Sequence, residues 1–311
     1  MIEAQQLTKR YGEKTAVDRL DFVVRPGTVT GFLGPNGAGK STTMRMIVGL
    51  DAPSGGSVTV NGKRYDRHLA PLHEIGALLE ARSIHPGRSA FDHLMVQAHT
   101  HGIPRRRVEE VIELTGLQSV AKKRAGAFSL GMGQRLGIAA ALLGDPATVM
   151  LDEPVNGLDP DGVLWIRNLL TQLAEEGRTV FVSSHLMSEM ALVADHLIIV
   201  GRGRLLADTT VRELVRKHGG DAVTVACDQP ARLREVLSGP GVEITGEVGS
   251  EHLTVIGLSA RDIGLRAAEH DIPLFELSSR TVSLEQAFME LTHDAVEYHG
   301  ASTTDTPGRA A

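Results

Sequence analysis

The stretch Gly34-Pro-Asn-Gly-Ala-Gly-Lys-Ser41 constrains this chain more than any other. It fits the spacing GxxxxGK followed by Ser or Thr. The β-rich apolar run TVTGFLG precedes it, and STTMRMIVGL follows with Met44, Ile47 and Val48 at helical spacing. A strand, a glycine-rich loop and a helix in that order make a phosphate cradle. Glycines let the backbone curl so that its N–H groups point inward, and the helix adds the positive end of its dipole. Lys40 supplies a cation for the β- and γ-phosphates, and Ser41 a hydroxyl for Mg²⁺. The candidate nucleotide-binding stretch is therefore Gly34, Pro35, Asn36, Gly37, Ala38, Gly39, Lys40, Ser41 and Thr42. Taken alone it suits a GTPase, a kinase or a helicase equally well.

Two further apolar runs end in polar groups. ATVMLDEP brings Asp152 and Glu153 to the end of a buried strand. An acid there helps hold Mg²⁺, and an adjacent glutamate can orient or deprotonate an attacking water. Consecutive strand residues point to opposite faces, so the two carboxylates are expected to differ in role. RTVFVSSH places His185 at the end of a neighbouring strand, where a neutral imidazole can bond to the γ-phosphate or the water. His99 and His101 read as surface.

Composition narrows the setting. Thirty-two basic residues face 38 acidic ones among 311, for a net charge of −6, so no broad basic field for nucleic acid is implied. The triplet Arg105-Arg106-Arg107 reads as a solvated loop or helix start. The single cysteine, Cys227, cannot form a disulfide within the chain and fits a reducing compartment. The N-terminus carries no signal-peptide core. No apolar run reaches the roughly 18 residues needed to cross a bilayer.

Along the chain, strand-like segments before the loop give way to helical spacing from about Ser89 to Leu143. Strand–helix alternation then resumes through HLIIVGRGRLLAD. The expected fold class is α/β, a mostly parallel sheet with a helical insert at about 81–143, within a first domain of residues 1–216. From 217 to 298 the order reads β-α-β-β-α-β and then a helix, a small α+β domain with ferredoxin-like order. Residues 299–311, small and polar, read as a disordered tail.

Over roughly the first two-thirds of the chain these residues resemble ABC ATPases. GPNGAGKST matches their phosphate loop, VMLDEP their acidic strand, NGLDP with Asp159 their D-loop, and Ser184-His185 their switch histidine. The most diagnostic element is FSLGMGQR at Phe128–Arg135. Ser129 and Gly131 fall on the serine and second glycine of the signature LSGGQ, whereas Leu130 and Met132 depart from it. The resemblance implies a P-loop core with a RecA-like sheet, an antiparallel β subdomain and the helical insert. It implies ATP and Mg²⁺ as ligands, Tyr11 stacked on adenine, and Asp152 and Ser41 on the metal. Lys40, Glu153 and His185 would promote hydrolysis.

It further implies a head-to-tail dimer of two copies, in which Ser129 and Gly131 of one close over the γ-phosphate held by the other. A separate transmembrane permease would be the other partner, with the protein peripheral at the cytoplasmic face of the membrane. Glu80 stands where the family usually has glutamine and resembles the branch of bacterial drug, bacitracin and lantibiotic exporters. It is expected to act in coupling and to offer an oxygen near Mg²⁺. A non-transport ABC ATPase acting on nucleic acid or ribosomes is the alternative. The acidic charge, the single cassette and the want of zinc inserts or long coiled coils speak against it.

Overall fold

The structure is a computed structural model that describes residues 1–80, 84–185, 187–219, 222–246, 251–280 and 284–292. The expected tail at 299–311 lies outside the described residues. The chain divides into two compact units. The first comprises Met1–His185, Ile198–Asp208 and Thr292, and the second Leu186–Leu197 with Thr209–Leu291.

In chain order, β1 (Ile2–Tyr11), β2 (Lys14–Val24) and β3 (Val29–Leu33) lead into α1 (Lys40–Ile47). Then come β4 (Gly55–Val60), the single turn α2 (Pro71–Glu74) and β5 (Ile75–Leu78). The helical insert supplies α3 (Ala90–Thr100), α4 (Arg105–Leu114) and α5 (Leu130–Leu142). Next are β6 (Thr148–Asp152), α6 (Pro160–Glu175), β7 (Thr179–Ser184), α7 (Met187–Ala191), β8 (His196–Gly201) and β9 (Arg204–Thr210).

Strands β3 and β7 are buried along their whole length, as their continuous apolar runs require of strands covered on both faces. They lie inside a six-stranded sheet of order β5-β6-β7-β3-β8-β9, in which β5–β6, β6–β7 and β3–β7 pair in parallel. A second, antiparallel sheet has the order β2-β1-β4. One apolar core joins the two sheets and α1, with Phe22, Phe32 and Phe181 at centroid distances of 5.1 to 6.0 Å at its centre. The arginine triplet opens α4 and is absorbed there: Arg105 pairs with Glu109, and Arg106 with Glu110, one turn on.

Register explains where a site can form. Leu33 sits opposite Ser184, Asp152 opposite Ser183, and Leu78 opposite Leu151. The loop after β3, Glu153, His185 and the segment that reaches Glu80 therefore leave the sheet along one carboxyl edge, where open α/β sheets bind ligands.

In the second unit, α8 (Val211–Gly219) precedes β10 (Ala222–Cys227), α9 (Pro230–Leu237), β11 (Glu243–Thr245), β12 (His252–Ile256), α10 (Ala260–Glu269), β13 (Leu274–Arg280) and α11 (Leu284–Thr292). The sheet order is β11-β12-β10-β13 with antiparallel pairing throughout, the ferredoxin-like arrangement. Val223, Val225, Leu253 and Val255 of the sheet pack against Leu233, Leu237, Ile263 and Ala267 of α9 and α10. Cys227 is buried in the same core.

Candidate functional site

The phosphate loop is built by close approach. At Gly39, φ is 99° and a Cβ would lie 2.5 Å from the Ala16 carbonyl, so only glycine suits the position that caps α1. Ala38 N–H bonds back to Pro35 O at 3.1 Å, and Ala38 O accepts from Gly203 N–H at 3.1 Å, which fixes the loop on both sides. Asn36 and Gly37 stay exposed. Lys40 is only 8% exposed, and its ammonium donates to Gly34 O at 2.6 Å and to Pro35 O at 3.2 Å. Burial pushes its pKa below the ordinary lysine value, while the nearby charges of Glu153 and Asp152 pull it the other way.

Ser41 Oγ donates to Asp152 Oδ2 at 2.9 Å. A hydroxyl beside a carboxylate is an oxygen-only donor pair, which fits a hard cation such as Mg²⁺. That ion keeps most of its six positions for water and phosphate oxygens. Among the described residues no group of three or more His, Cys, Asp or Glu forms a metal cage.

Asp152 and Glu153 do differ in surroundings, but simple strand alternation does not explain it. β6 ends at Asp152, and Glu153 turns into a left-handed backbone with φ of 50°. For a non-glycine residue that conformation costs on the order of 1–2 kcal/mol. The turn carries the Glu153 carboxylate to His185, whose Nδ1 lies 2.8 Å from Oε2. The histidine that the sequence aimed at phosphate or water thus meets the glutamate directly.

Tyr11 is half exposed and donates its hydroxyl to Asp51 Oδ2 at 3.0 Å, with Thr42 of α1 beside the same hydroxyl. The ammonium of Lys9 lies 4.9 Å from its ring centroid. The ring is thus held within reach of the helix that carries the phosphate loop.

Ser129 caps α5, accepting from Met132 N–H at 3.2 Å. Leu130, 51% exposed, lies over Gly157 so closely that a Cβ there would come within 2.3 Å of its side chain. Gly157 has φ of 77° and therefore meets both requirements. Gly131 stands beside the Gly157 carbonyl, where a Cβ would come within 2.8 Å. The signature-like segment and NGLDP are therefore in contact within one chain. Asp159 caps α6 by accepting from Gly162 N–H at 2.9 Å.

Glu80 is exposed, close enough to Arg45 to act on its charge, and has no described contact with Ser41 or Asp152. It lies on the rim of a cavity of about 420 Å³ lined by Leu50, Leu79, Ile84, His93 and Gln97 among others. His93 is a residue that sequence reasoning missed. It is buried on α3, its Nδ1 finds no hydrogen-bond partner among the described residues, and burial pushes its pKa down. Apolar helical spacing around it gave no sign of a buried polar atom there. Ser183 and Gln134 were missed as well, and both bond to the peptide of Glu153.

Residues 17–156 match the family model described as ABC transporter, and residues 221–285 match a domain of unknown function. The chain is similar to the bacitracin transport ATP-binding protein BcrA of Bacillus licheniformis, with 41% identity over 221 residues that cover 70% of this chain and 72% of the relative. It is similar along nearly its whole length to the ABC transporter ATP-binding protein YhcH of Bacillus subtilis, with 36% identity over 307 residues, 96% of this chain and 97% of the relative. Among solved structures it resembles a dimeric ATP-binding cassette in a post-hydrolysis state bound to ADP and phosphate. The TM-score is 0.62 at 25% identity, covering 68% of this chain and 98% of the other.

Proposed function

The chain belongs to the ATP-binding subunits of ABC transporters and hydrolyses ATP to power transport, and from that premise we propose how its residues divide the work. Lys40 and the N–H groups of residues 34–42 grip the phosphates. Ser41 and Asp152 hold Mg²⁺, which when bound neutralises charge on the β- and γ-phosphates. Glu153 orients the attacking water and takes its proton, and His185 steadies the Glu153 carboxylate. Tyr11 offers its ring face to adenine. Ser129 and Gly131 of a second copy close over the γ-phosphate, with Asp159 at that interface. The observation that carries this reading is the convergence of Lys40, the Ser41–Asp152 pair and the Glu153–His185 pair on one sheet edge.

Residues 1–216 are assigned to the motor domain and 217–298 to an accessory domain; the compact units divide otherwise, with α7 and Thr209–Gly219 in the second unit, and residues 293–298 lie outside the described residues. The motor works as a dimer against a separate membrane permease, peripherally at the cytoplasmic face. No helix among the described residues is long and apolar enough to cross a membrane. The permease meets the groove beside Glu80, where an apolar lining that includes Leu50, Leu79 and Ile84 offers packing. Glu80 relays the movement and, by moving toward Ser41 and Asp152, with which it has no described contact, offers an oxygen near the metal. The cargo is a drug, antibiotic or peptide moved outward, a reading that rests on the bacitracin-transport relative.

Replacing Glu153 by Gln keeps the shape of the side chain and removes its basicity. The expected result is a loss of ATP turnover of roughly a hundredfold or more with ATP binding retained. Undiminished turnover would remove the role assigned to Glu153.

A further inference from the structure

Ser183 and Gln134 hold the two backbone groups of Glu153, its N–H and its carbonyl. Ser183 is wholly buried near the end of β7. Its hydroxyl donates to Asp152 Oδ1 and accepts from Glu153 N–H at 3.1 Å, while the same N–H reaches the Ser183 carbonyl at 3.2 Å. Gln134, on α5 and 2% exposed, donates from Nε2 to the Glu153 carbonyl at 3.2 Å. Between these bonds Glu153 keeps a left-handed backbone that a non-glycine residue rarely adopts. An extended continuation of β6 would send consecutive side chains to opposite faces, so the turn is what brings the Glu153 carboxylate to His185.

We propose that Ser183 and Gln134 are positioning residues for ATP hydrolysis, a clamp that fixes the Glu153 peptide so that its carboxylate meets His185 and the water. The inference rests on the assignment of Glu153 above. One hydroxyl joins the metal-side acid to the water-side glutamate. The glutamine ties both to the helix that begins at Ser129, so a shift of that helix end changes the aim of Glu153. Gln134 acts through Glu153, and Ser183 through Glu153 and the neighbouring Asp152.

The test uses the purified full-length chain with ATP and Mg²⁺. Ser183→Ala removes the hydroxyl, Gln134→Met removes the donor at similar volume, and Ser183→Thr restores a hydroxyl. The first two variants are expected to lose kcat by about ten- to a hundredfold with KM for ATP within about twofold. Ser183→Thr is expected to recover most of that loss. In a Glu153→Gln background, Gln134→Met is expected to add no further loss to the single-turnover rate, and Ser183→Ala much less than it costs alone. Wild-type kcat in Ser183→Ala and Gln134→Met, or an equal further loss in that background, would overturn the proposal. So would failure of both variants to fold, which makes the pair a stability element. The two readings fail separately. Full activity in Glu153→Gln removes the assignment of the base. An inactive Glu153→Gln beside fully active clamp variants removes only the clamp.

Discussion

On the proposed function, Lys40 carries both ATP affinity and its pH dependence. Its ammonium is buried against two backbone carbonyls, with Glu153 and Asp152 close by. Burial lowers its pKa, and only the protonated form grips phosphate. The sign follows: ATP affinity is full below the lowered value and is lost as pH rises through it. That loss begins below the roughly 10.4 of an ordinary lysine. Binding of a fluorescent ATP analogue, titrated toward alkaline pH, checks this. An affinity that is flat up to the ordinary lysine range would contradict it. Much of this residue scale was legible beforehand. Lys40, Ser41, Asp152, Glu153 and His185 stand in short motifs, each ending an apolar run. Ser183, Gln134 and His93 were not legible, because their importance lies in contacts rather than in type. Gln134 reaches a carbonyl 19 positions along the chain, and Ser183 an amide 30 positions back. A serine before a histidine says nothing of where its hydroxyl points.

At the scale of elements, helix ends do much of the positioning. Ser129 opens α5 and Asp159 opens α6, and the segment between α5 and α6 holds the acidic strand and Gly157. Alternating apolar runs and glycine-rich breaks announced the strands, and a serine before a helical pattern announced the cap at Ser129. The acid of NGLDP was expected at the nucleotide interface. Within the single chain its carboxylate is also engaged by Gly162 N–H, a local bond that serves helix formation first. Asp159→Ala should therefore destabilise the folded chain by about 1 kcal/mol, measured by denaturant unfolding. An unchanged midpoint would mean that the cap contributes nothing to folding. The left-handed turn at Glu153 was hidden from sequence, since glutamate is not a residue that marks such a conformation.

At the scale of the whole molecule, the parallel sheet, the antiparallel sheet and the helical insert follow from strand–helix alternation and its interruption. The ferredoxin-like order of the second unit was readable because β-rich and helix-spaced segments follow one another in the order β-α-β-β-α-β. What alternation could not supply was register, which brings Gly34, Glu80, Glu153 and His185 to one edge. On the proposed function, that edge is one half of a site. Ser129 is exposed at the start of α5, a helix end with N–H groups suited to an anion, and its neighbours Leu130 and Gly131 lie against Gly157 of NGLDP in the same chain. A shared nucleotide gives both halves a use, and the solved cassette with ADP and phosphate is dimeric. The most direct measurement is the mass of Glu153→Gln in solution by light scattering, with and without ATP and Mg²⁺. The expected result is a mass that doubles on adding ATP and stays single when Ser129 and Gly131 are also replaced by bulky residues. A chain that binds ATP yet remains a single copy, or that pairs regardless of those two residues, would contradict the shared site.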